Sequence, residues 1–378
     1  MTVRLRAMLA TLPSYVPGRN IPGAVKLASN ETHYPPLPHV LARIAEVAAT
    51  INRYPDSNST TLTSALAAKY GVADEQVAVG CGAVSLLTQL AQATVDADEE
   101  VLYAWRSFEA YPILTAVAGG SAVQVPLRDY VHDLDEMAAR VTGKTRLIFV
   151  CNPNNPTGTA VRRVELVAFL RSVPSDVVVA LDEAYREFVT DPDVPDGVTL
   201  LDEFTNLVVL RTFSKAYGLA GLRVGYAIAG DPAVANALRQ TQVPFAVTSV
   251  AQQAALASLE PEAEAQLMER VAEIVTERTR VSDALRAMGY EVPPSEANFI
   301  WLPLGEHTTD WAAGCEDRKV IVRAFAGHGA RVTISSAQPA SPRALSVTST
   351  RAAGRPVTAS STWVEMLMAA SLAQWRRA

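Results

Sequence analysis

The sequence predicts an α/β protein with a large domain built on a mostly parallel sheet and a smaller α+β domain. From about residue 75 to 230, short apolar runs alternate with stretches of helix length, which is typical of strands connected by helices. Most of these runs are continuously apolar, as in strands that are buried on both faces of a sheet. A long helical pattern and then short strands follow, which indicates the second domain.

The predicted large sheet has seven strands, which in chain order are Val77–Gly80, Glu100–Ala104, Ala122–Val125, Arg146–Cys151, Val177–Asp182, Leu207–Phe213 and Val224–Ala229. A helix is predicted from about Glu262 to Met288, because its apolar residues recur near a spacing of 3.6. The small domain is predicted from three short strands, Asn298–Leu302, Val320–Ala324 and Arg331–Ser335.

These patterns predict four segments. They are an N-terminal arm with a small-domain segment (1–45), the large domain (46–262), the small C-terminal domain (263–335) and an atypical tail (336–378). The arm is rich in proline and has few periodic runs. From Gly329 to Ala378 there are six arginines and one acidic residue, although the whole chain is acidic, so we make no structural prediction for the tail.

Composition argues against several classes of protein. The 378 residues are 49% hydrophobic and 19% charged, which supports a large buried core. A formal charge of −6 gives no reason to expect nucleic acid or an anionic membrane as a partner. No apolar run approaches the roughly 20 residues of a spanning helix. Residues 1–12 lack a continuous apolar segment, so no secretory signal is expected.

The cysteines and histidines argue against a disulfide framework and a metal site. Cys81, Cys151 and Cys315 are odd in number and far apart, and the five histidines are scattered without metal-ligand spacing. A reducing cytoplasm is the compartment that we expect.

The strongest chemical signal is a lysine that follows a buried strand. Lys215 is flanked by the hydroxyls of Thr212 and Ser214, and Arg223 follows eight residues later. Lysine forms Schiff bases with carbonyl cofactors. Hydroxyls and an arginine suit a phosphate monoester, although a solvated loop lysine is the alternative for this motif alone.

A second signal is Asp182, which ends another buried strand. Such a position points into the crevice where α/β proteins bind ligands, and its carboxylate can pair with a protonated pyridine nitrogen. Tyr185, three residues later, can hydrogen-bond a ring phenolate. Taken alone, Asp182 is better explained as the cap of the following helix.

Two turns complete the pattern. The run Cys151–Gly158 forces a tight turn after a strand and can present the Asn155 amide to the same phenolate, although a plain turn is the alternative. Val79–Ser85 passes from a strand into a helix whose first N–H groups can bind an anion. As a dinucleotide fingerprint this run is incomplete, since Ser85 replaces the third glycine.

In this order on consecutive βα units, the four motifs resemble the fold-type I pyridoxal-phosphate aminotransferases. The segments Arg53–Pro55, Asn154–Gly158 and Thr212–Arg223 resemble the histidinol-phosphate aminotransferase group, which includes the aromatic-amino-acid (phenylalanine) aminotransferases. The resemblance runs from about residue 4 to Ile334. It implies pyridoxal 5'-phosphate as the cofactor.

The resemblance implies a role for each matching residue. Lys215 matches the Schiff-base lysine, and Asp182 matches the partner of the pyridine nitrogen. Asn155 and Tyr185 match the partners of the ring oxygen O3′, and Phe108 matches the aromatic residue that stacks on the ring. The implied phosphate contacts are Thr212, Ser214, Arg223 and the backbone N–H groups of Ala83 and Val84.

The remaining implied roles concern the substrate and a second subunit. Arg323 and Arg331 match the arginine pair near the acidic group of the substrate, with Arg331 as the clamp on the α-carboxylate. Asn30 lies in the arm that closes over the substrate. Tyr54 matches a tyrosine that reaches the phosphate of the neighbouring subunit, which implies a homodimer with shared active sites.

The implied reaction transfers the amino group of an aromatic amino acid, phenylalanine or tyrosine, to 2-oxoglutarate. The aromatic-rich run Val101–Tyr111 favours this branch, and histidinol phosphate is the alternative amine donor because the same two arginines suit a phosphate. An inactive aminotransferase-like binding protein is another alternative, because the tail after Ser335 departs from the family pattern. A dehydrogenase on a Rossmann sheet is a third, which the incomplete glycine motif disfavours.

Overall fold

A computed structural model of the chain describes residues 3–10, 12 and 18–335. Its strands are β1 Val25–Leu27, β2 Val77–Gly80, β3 Glu100–Trp105, β4 Ser121–Pro126, β5 Thr145–Cys151, β6 Val178–Asp182, β7 Leu207–Thr212, β8 Gly225–Ala229, β9 Phe299–Leu302, β10 Val320–Phe325 and β11 Gly329–Thr333. The predicted tail, 336–378, lies outside the described residues.

The helices connect these strands and cover the sheets. They are α1 Pro38–Ala48, α2 Thr60–Tyr70, α3 Ala83–Thr94, α4 Ala110–Ala118, α5 Leu134–Ala139, α6 Arg163–Ser172, α7 Pro232–Thr241, α8 Ser249–Ser258, α9 Pro261–Ala287 and α10 Thr308–Asp317. Among the residues described, no helix is both long and apolar enough to span a bilayer.

The large sheet has the order β2–β8–β7–β6–β5–β3–β4. The pairs β3–β4, β3–β5, β5–β6 and β6–β7 are parallel, and β8 is antiparallel to both of its neighbours. The predicted fold class, with a mostly parallel seven-stranded sheet, is therefore confirmed. All seven predicted strands are present, and each of their ends lies within one residue of its prediction.

The continuously apolar strands contribute side chains to two hydrophobic cores, one on each face of this sheet. Along β5, Ile148 and Val150 pack into one cluster, whereas Leu147 and Phe149 pack into the other. Alternating side chains of a strand point to opposite faces, so a strand covered on both sides needs apolar residues at every position. The edge strand β4 is mostly exposed, which explains its mixed sequence.

The long helix α9 lies within one residue of its predicted bounds. It buries one apolar face, whose members include Leu267, Val271, Ile274, Val281 and Leu285. Arg278 is buried on the same helix and donates hydrogen bonds to two backbone carbonyls, those of Phe188 (3.0 Å) and Ala297 (2.9 Å). These bonds tie α9 to the segments that lead into and out of the two sheets.

The small sheet has the order β1–β10–β11–β9, so the N-terminal arm contributes a strand to it. β1 pairs in parallel with β10, and β10–β11–β9 are antiparallel. The three predicted strands are present, although β11 begins and ends two residues before its prediction. The division at 45 and at 262 stays a prediction, and these positions fall within α1 and α9.

The topology brings the chemical motifs together. The parallel strands β5, β6 and β7 end at the same edge of the large sheet, and α3 begins beside them. Residues 151–158, Asp182 and Lys215 follow these strand ends. In an open α/β sheet this edge is where ligands bind.

Candidate active site

A cavity of about 310 Å³ lies at this edge, between the large sheet, the small sheet and the arm. Of the residues that the sequence singled out, the cavity brings together Asn30, Ala83, Val84, Phe108, Asn155, Asp182, Tyr185, Thr212, Ser214, Lys215, Arg223, Arg323 and Arg331. They come from segments spread over three hundred positions, so the fold and not the local sequence assembles the site.

Tyr54 does not belong to this cavity. Its side chain is 83% exposed, and its ring stacks on Phe245 with centroids 4.6 Å apart. Both rings line a separate surface concavity. Within one protomer, Tyr54 therefore cannot contact a ligand in the cavity.

Lys215 follows β7 and points its Nζ into the cavity, 3.5 Å from the carbonyl oxygen of Ser29. The same nitrogen lies 5.8 Å from the centroid of the Tyr185 ring. Burial, and then the positive charge of Arg331, lower the pKa of Lys215 to about 8. A larger share of this amine is therefore neutral and nucleophilic at neutral pH than in an ordinary lysine.

Asp182 is almost fully buried at the end of β6. Its Oδ2 accepts a hydrogen bond from the Tyr111 hydroxyl (2.9 Å), and its Oδ1 accepts one from the backbone N–H of Ala184 (3.2 Å). Burial raises the pKa of Asp182, and these two hydrogen bonds oppose the rise. A cationic group bound beside Asp182 would complete the compensation of its charge.

Groups that suit an anion line another part of the cavity. Arg223 Nη1 donates to Ser214 Oγ (3.3 Å), and Thr212 Oγ1 donates to the same oxygen (3.0 Å). Gly82 precedes α3 with φ +77°, and a Cβ there would lie 2.5 Å from Arg223 Nη2. The backbone conformation therefore favours glycine, and a Cβ at this position would displace the Arg223 guanidinium. The first N–H groups of α3 have no partner within the helix, so this end suits a phosphate.

Asn30 connects the arm to the site. It has φ 56°, a left-handed conformation that asparagine tolerates. Its Nδ2 donates to the Tyr185 hydroxyl (3.0 Å), and its Oδ1 accepts from Thr333 Oγ1 (3.0 Å). Asn298 Nδ2 donates to the Asn30 carbonyl (3.2 Å). The arm, β6 and the small sheet are thereby fixed around Tyr185.

The two predicted arginines lie directly opposite each other on β10 and β11. Arg331 donates to Asn155 Oδ1 (2.5 Å) and to the Ala28 carbonyl (2.7 Å), both of which are neutral acceptors. Arg323 instead donates to both carboxylate oxygens of Glu109, at 2.8 to 3.2 Å. The two arginines, which were predicted as a unit, therefore differ in these hydrogen-bond acceptors.

Sequence reasoning missed three residues of the site, namely Tyr111, Glu109 and Asn154. Asn154 Nδ2 donates to the Arg106 carbonyl (3.1 Å), and Asn154 Oδ1 accepts from Ser107 Oγ (2.7 Å). It thereby connects the Asn-rich turn to the loop that carries Phe108. Tyr111 and Glu109 stand in the aromatic-rich run that the sequence singled out, but nothing local indicated their partners.

The site thus combines an amine, a buried carboxylate, an anion site and an arginine in one cavity. A ligand with a phosphate at one end and a basic ring nitrogen at the other fits this arrangement. Phe108 is placed to cover a flat ring, and its own ring meets Tyr111 edge-on, with centroids 5.6 Å apart.

Comparison with known proteins agrees with this chemistry. The family model "Aminotransferase class I and II" matches residues 22–340. An aromatic amino acid aminotransferase of Streptomyces coelicolor is 57% identical over 340 residues, which cover 89% of this chain and 94% of the relative. One of Thermobifida fusca is also 57% identical, over 334 residues that cover 87% and 92% of the two chains.

Solved structures are similar as well. The histidinol-phosphate aminotransferase of Sinorhizobium meliloti in complex with pyridoxal-5'-phosphate has a TM-score of 0.81 and 26% identity, with 98% of this chain and 99% of that chain covered. An aspartate aminotransferase variant of Thermus thermophilus has a TM-score of 0.78 at 20% identity, with 98% and 100% covered. The latter likeness concerns the fold alone.

Proposed function

Because the chain belongs to the aminotransferase class I and II family, we propose that it is an aromatic amino acid aminotransferase that uses pyridoxal phosphate. It transfers the amino group of phenylalanine or tyrosine to 2-oxoglutarate. The observation that carries the proposal is the single cavity onto which Lys215, Asp182 and Arg331 all face. The reaction needs an amine for the cofactor, a carboxylate for its ring and a guanidinium for the substrate.

The residues of the cavity fit pyridoxal phosphate. Arg223, Ser214, Thr212 and the first N–H groups of α3 would hold the phosphate. The carboxylate of Asp182 would pair with the ring nitrogen, and Phe108 would cover one ring face. When bound, the cofactor supplies an electron sink for the carbanion that remains after the substrate loses its α-proton.

Lys215 both holds the cofactor and moves the proton in this proposal. With a pKa lowered to about 8, its amine can attack a carbonyl and can accept a proton near neutral pH. Its approach to the Ser29 carbonyl keeps Nζ directed across the cavity rather than into solvent. The same nitrogen can then return the proton when the second substrate is converted.

Tyr185 and Asn155 are the proposed partners of the ring hydroxyl oxygen. The Tyr185 hydroxyl accepts a hydrogen bond from Asn30, so its own proton can be donated to a ligand. The Asn155 Oδ1 is held by Arg331, so Nδ2 is the donor that this amide can offer. Both contacts would fix the plane of the ring relative to Lys215.

Arg331 is the proposed clamp for the α-carboxylate. Its guanidinium is held in place by Asn155 and by the Ala28 carbonyl, so little side-chain entropy remains to be lost on binding. Its charge reaches Lys215, whose pKa it lowers, which supports an orientation toward the reacting amine. The substrate Cα would then lie between the two.

We also propose a homodimer with shared sites. Several large apolar side chains are exposed near one concavity. The exposed fractions are 83% for Tyr54, 42% for Phe245, 68% for Ile51 and 72% for Val243, and the concavity is lined by Tyr54, Phe245 and Ile51. Exposed apolar side chains in a group favour a protein contact. Tyr54 of one protomer would reach the phosphate end of the partner site. A reducing cytoplasm is the compartment that we propose, because three widely spaced cysteines do not suit a disulfide framework.

The curated relatives favour aromatic amino acids over histidinol phosphate, which stays the competing donor. They also favour an active enzyme over the alternative of an inactive binding protein. The family match is to aminotransferases, so the alternative of a dehydrogenase is wrong.

The proposal is tested by borohydride reduction of the purified protein with its cofactor, followed by peptide mass analysis and a turnover assay. We expect the reduced adduct on Lys215 and formation of phenylpyruvate from phenylalanine and 2-oxoglutarate. Lys215→Ala should lose both, whereas Lys144→Ala, at an exposed lysine, should lose neither. An adduct on another lysine, or turnover with histidinol phosphate alone, would overturn the assignment.

A further inference from the structure

Glu109 is a carboxylate inside a cavity that must bind carboxylates. It precedes α4, lines the cavity, and holds Arg323 through two-oxygen contact at 2.8 to 3.2 Å. The side chains are 29% and 14% exposed, so water screens the pair only in part. The pair also joins the two sheets. Glu109 precedes α4, which connects strands β3 and β4 of the large sheet, and Arg323 lies on β10 of the small sheet.

The neighbouring arginines show what Glu109 changes. Arg331, opposite Arg323 in the sheet, donates to an amide oxygen and a carbonyl. Arg323 donates to a carboxylate, which cancels its charge locally. Arg323 therefore offers less net positive charge to a substrate anion than it would without Glu109.

The buried Phe325 ring packs against Arg323, Arg331 and Arg106, outside the lining of the cavity. The Arg323 guanidinium lies 5.8 Å from the centroid of the Phe325 ring, and Arg106 lies 5.6 Å from the same ring. The Phe325 ring meets Trp301 with centroids 5.6 Å apart. The charge of Glu109 acts on Arg106 as well, since it opposes the lowering of the Arg106 pKa that burial causes. The charge of Glu109 thus acts on two guanidinium groups, those of Arg323 and Arg106.

We propose that Glu109 determines which substrate side chains the site accepts. By neutralising Arg323, it suits the part of the cavity near that guanidinium to an uncharged aromatic side chain, while Arg331 binds the α-carboxylate. A ligand with a second carboxylate must compete with Glu109 for Arg323 and approach a like charge, which weakens its binding. This inference rests on the proposed function, because it assigns substrate selectivity within that same site.

The proposal has a consequence for the amino acceptor. The distal carboxylate of 2-oxoglutarate meets the Glu109–Arg323 pair, so the acceptor is bound less tightly than the same cavity would bind it without Glu109. Removal of the Glu109 charge should therefore favour dicarboxylates and disfavour aromatic ligands. The effect should disappear when Arg323 is also removed.

The test compares two non-reacting probes on the cofactor-loaded enzyme by calorimetry, namely glutarate and 3-phenylpropionate. Glu109→Gln keeps the shape of the side chain and removes its charge. We expect glutarate to bind about tenfold more tightly and 3-phenylpropionate no more tightly than to wild type. Glu99→Gln is the matched control, because Glu99 forms a partly exposed pair with Arg146 (2.7 Å) outside the cavity.

Two further variants keep the test decisive. Glu109→Gln/Arg323→Gln should lose the gain for glutarate, and Arg323→Gln alone should weaken glutarate because Glu109 is then uncompensated. An unchanged ratio of the two dissociation constants in Glu109→Gln, or a gain that persists in the double variant, would overturn the proposal. The probes do not react, so failure of wild type to convert phenylalanine would count against the proposed function and not against Glu109.

Discussion

The hydroxyl of Tyr111 donates a 2.9 Å hydrogen bond to Asp182 Oδ2 beneath the floor of the cavity. Tyr111 is fully buried, and its ring stacks on Phe149 with centroids 4.6 Å apart. The tyrosine is therefore fixed by packing, and it holds the carboxylate in one orientation. It also opposes the rise in the Asp182 pKa that burial causes, which favours the ionised form.

Tyr111→Phe should reduce kcat about tenfold with little change in KM for the amino acid. A hydrogen bond to a charged group contributes roughly 1.5–3 kcal/mol, and its loss weakens the pairing of Asp182 with the ring nitrogen. Tyr103→Phe is the matched control, because Tyr103 is also fully buried but its hydroxyl contacts Gln124 (3.2 Å). Equal effects of the two substitutions on kcat would show that Tyr111 acts through packing alone.

Asp182→Asn should retain cofactor binding and lower kcat by about a hundredfold or more, because a neutral amide cannot stabilise a cationic ring. The same substitution should raise the melting temperature of the apoenzyme at pH 7. Burial raises the folded-state pKa of Asp182, so its ionisation opposes folding above that pKa. The gain in melting temperature should vanish below about pH 4, where the Asp182 carboxyl is protonated in both the folded and the unfolded state. Normal turnover by Asp182→Asn would contradict the assigned role.

Lys215 should titrate far below an ordinary lysine. Its pKa is lowered to about 8, so the neutral amine should appear as pH rises through 8 in the folded apoenzyme, against about 10.4 in the unfolded chain. Competitive acetylation followed by mass analysis measures both midpoints in one experiment. Arg331→Gln should move the folded midpoint upward, because the Arg331 charge contributes to the lowering. A folded midpoint near that of the denatured chain would refute this prediction.

The buried ion pair of Glu183 and Arg211 should stabilise the large sheet. Both Arg211 nitrogens Nε and Nη2 donate to Glu183 Oε2, at 3.0 and 2.7 Å, and the Glu183 side chain is 0% exposed. Glu183→Gln should lower the free energy of unfolding by roughly 3 kcal/mol, because it removes the fully buried carboxylate that pairs with a buried guanidinium.

Urea unfolding of Glu183→Gln beside Glu203→Gln provides the comparison. Glu203 pairs with Arg171 at the surface, where both side chains are about half or more exposed. Such a pair contributes about 0–1 kcal/mol, so its loss should hardly move the midpoint. Equal shifts of the urea midpoint in the two variants would show that the buried pair contributes no more to the free energy of unfolding than the surface pair does.

The large sheet could be predicted from sequence because each strand is a continuous apolar run, which is a local signal. β1 could not, since three residues are too short for a period and its partner β10 lies almost three hundred positions later. The bounds of β11 were shifted by two residues. Its first residues, Gly329 and Ala330, carry little apolar signal, although they pair with β9 and β10.

In the candidate site, too, some residues could be predicted from local sequence and others could not. Lys215, its hydroxyl neighbours and Arg223 lie close together in sequence, so their chemistry was visible there. Tyr111 meets Asp182 across 71 positions, and Glu109 meets Arg323 across 214. Such contacts depend on how the sheets are packed, and nothing in the local sequence distinguishes these two residues from others in the same aromatic-rich run.

The most direct test of the account is single-turnover mixing of the cofactor-loaded enzyme with phenylalanine, and separately with histidinol phosphate, while the visible absorbance of the cofactor is followed. We expect phenylalanine to bleach the band of the Lys215-bound cofactor, and a later addition of 2-oxoglutarate to restore it. Bleaching chiefly by histidinol phosphate would contradict the substrate assignment. A band that neither amine changes would contradict the proposal that this cavity carries out transamination.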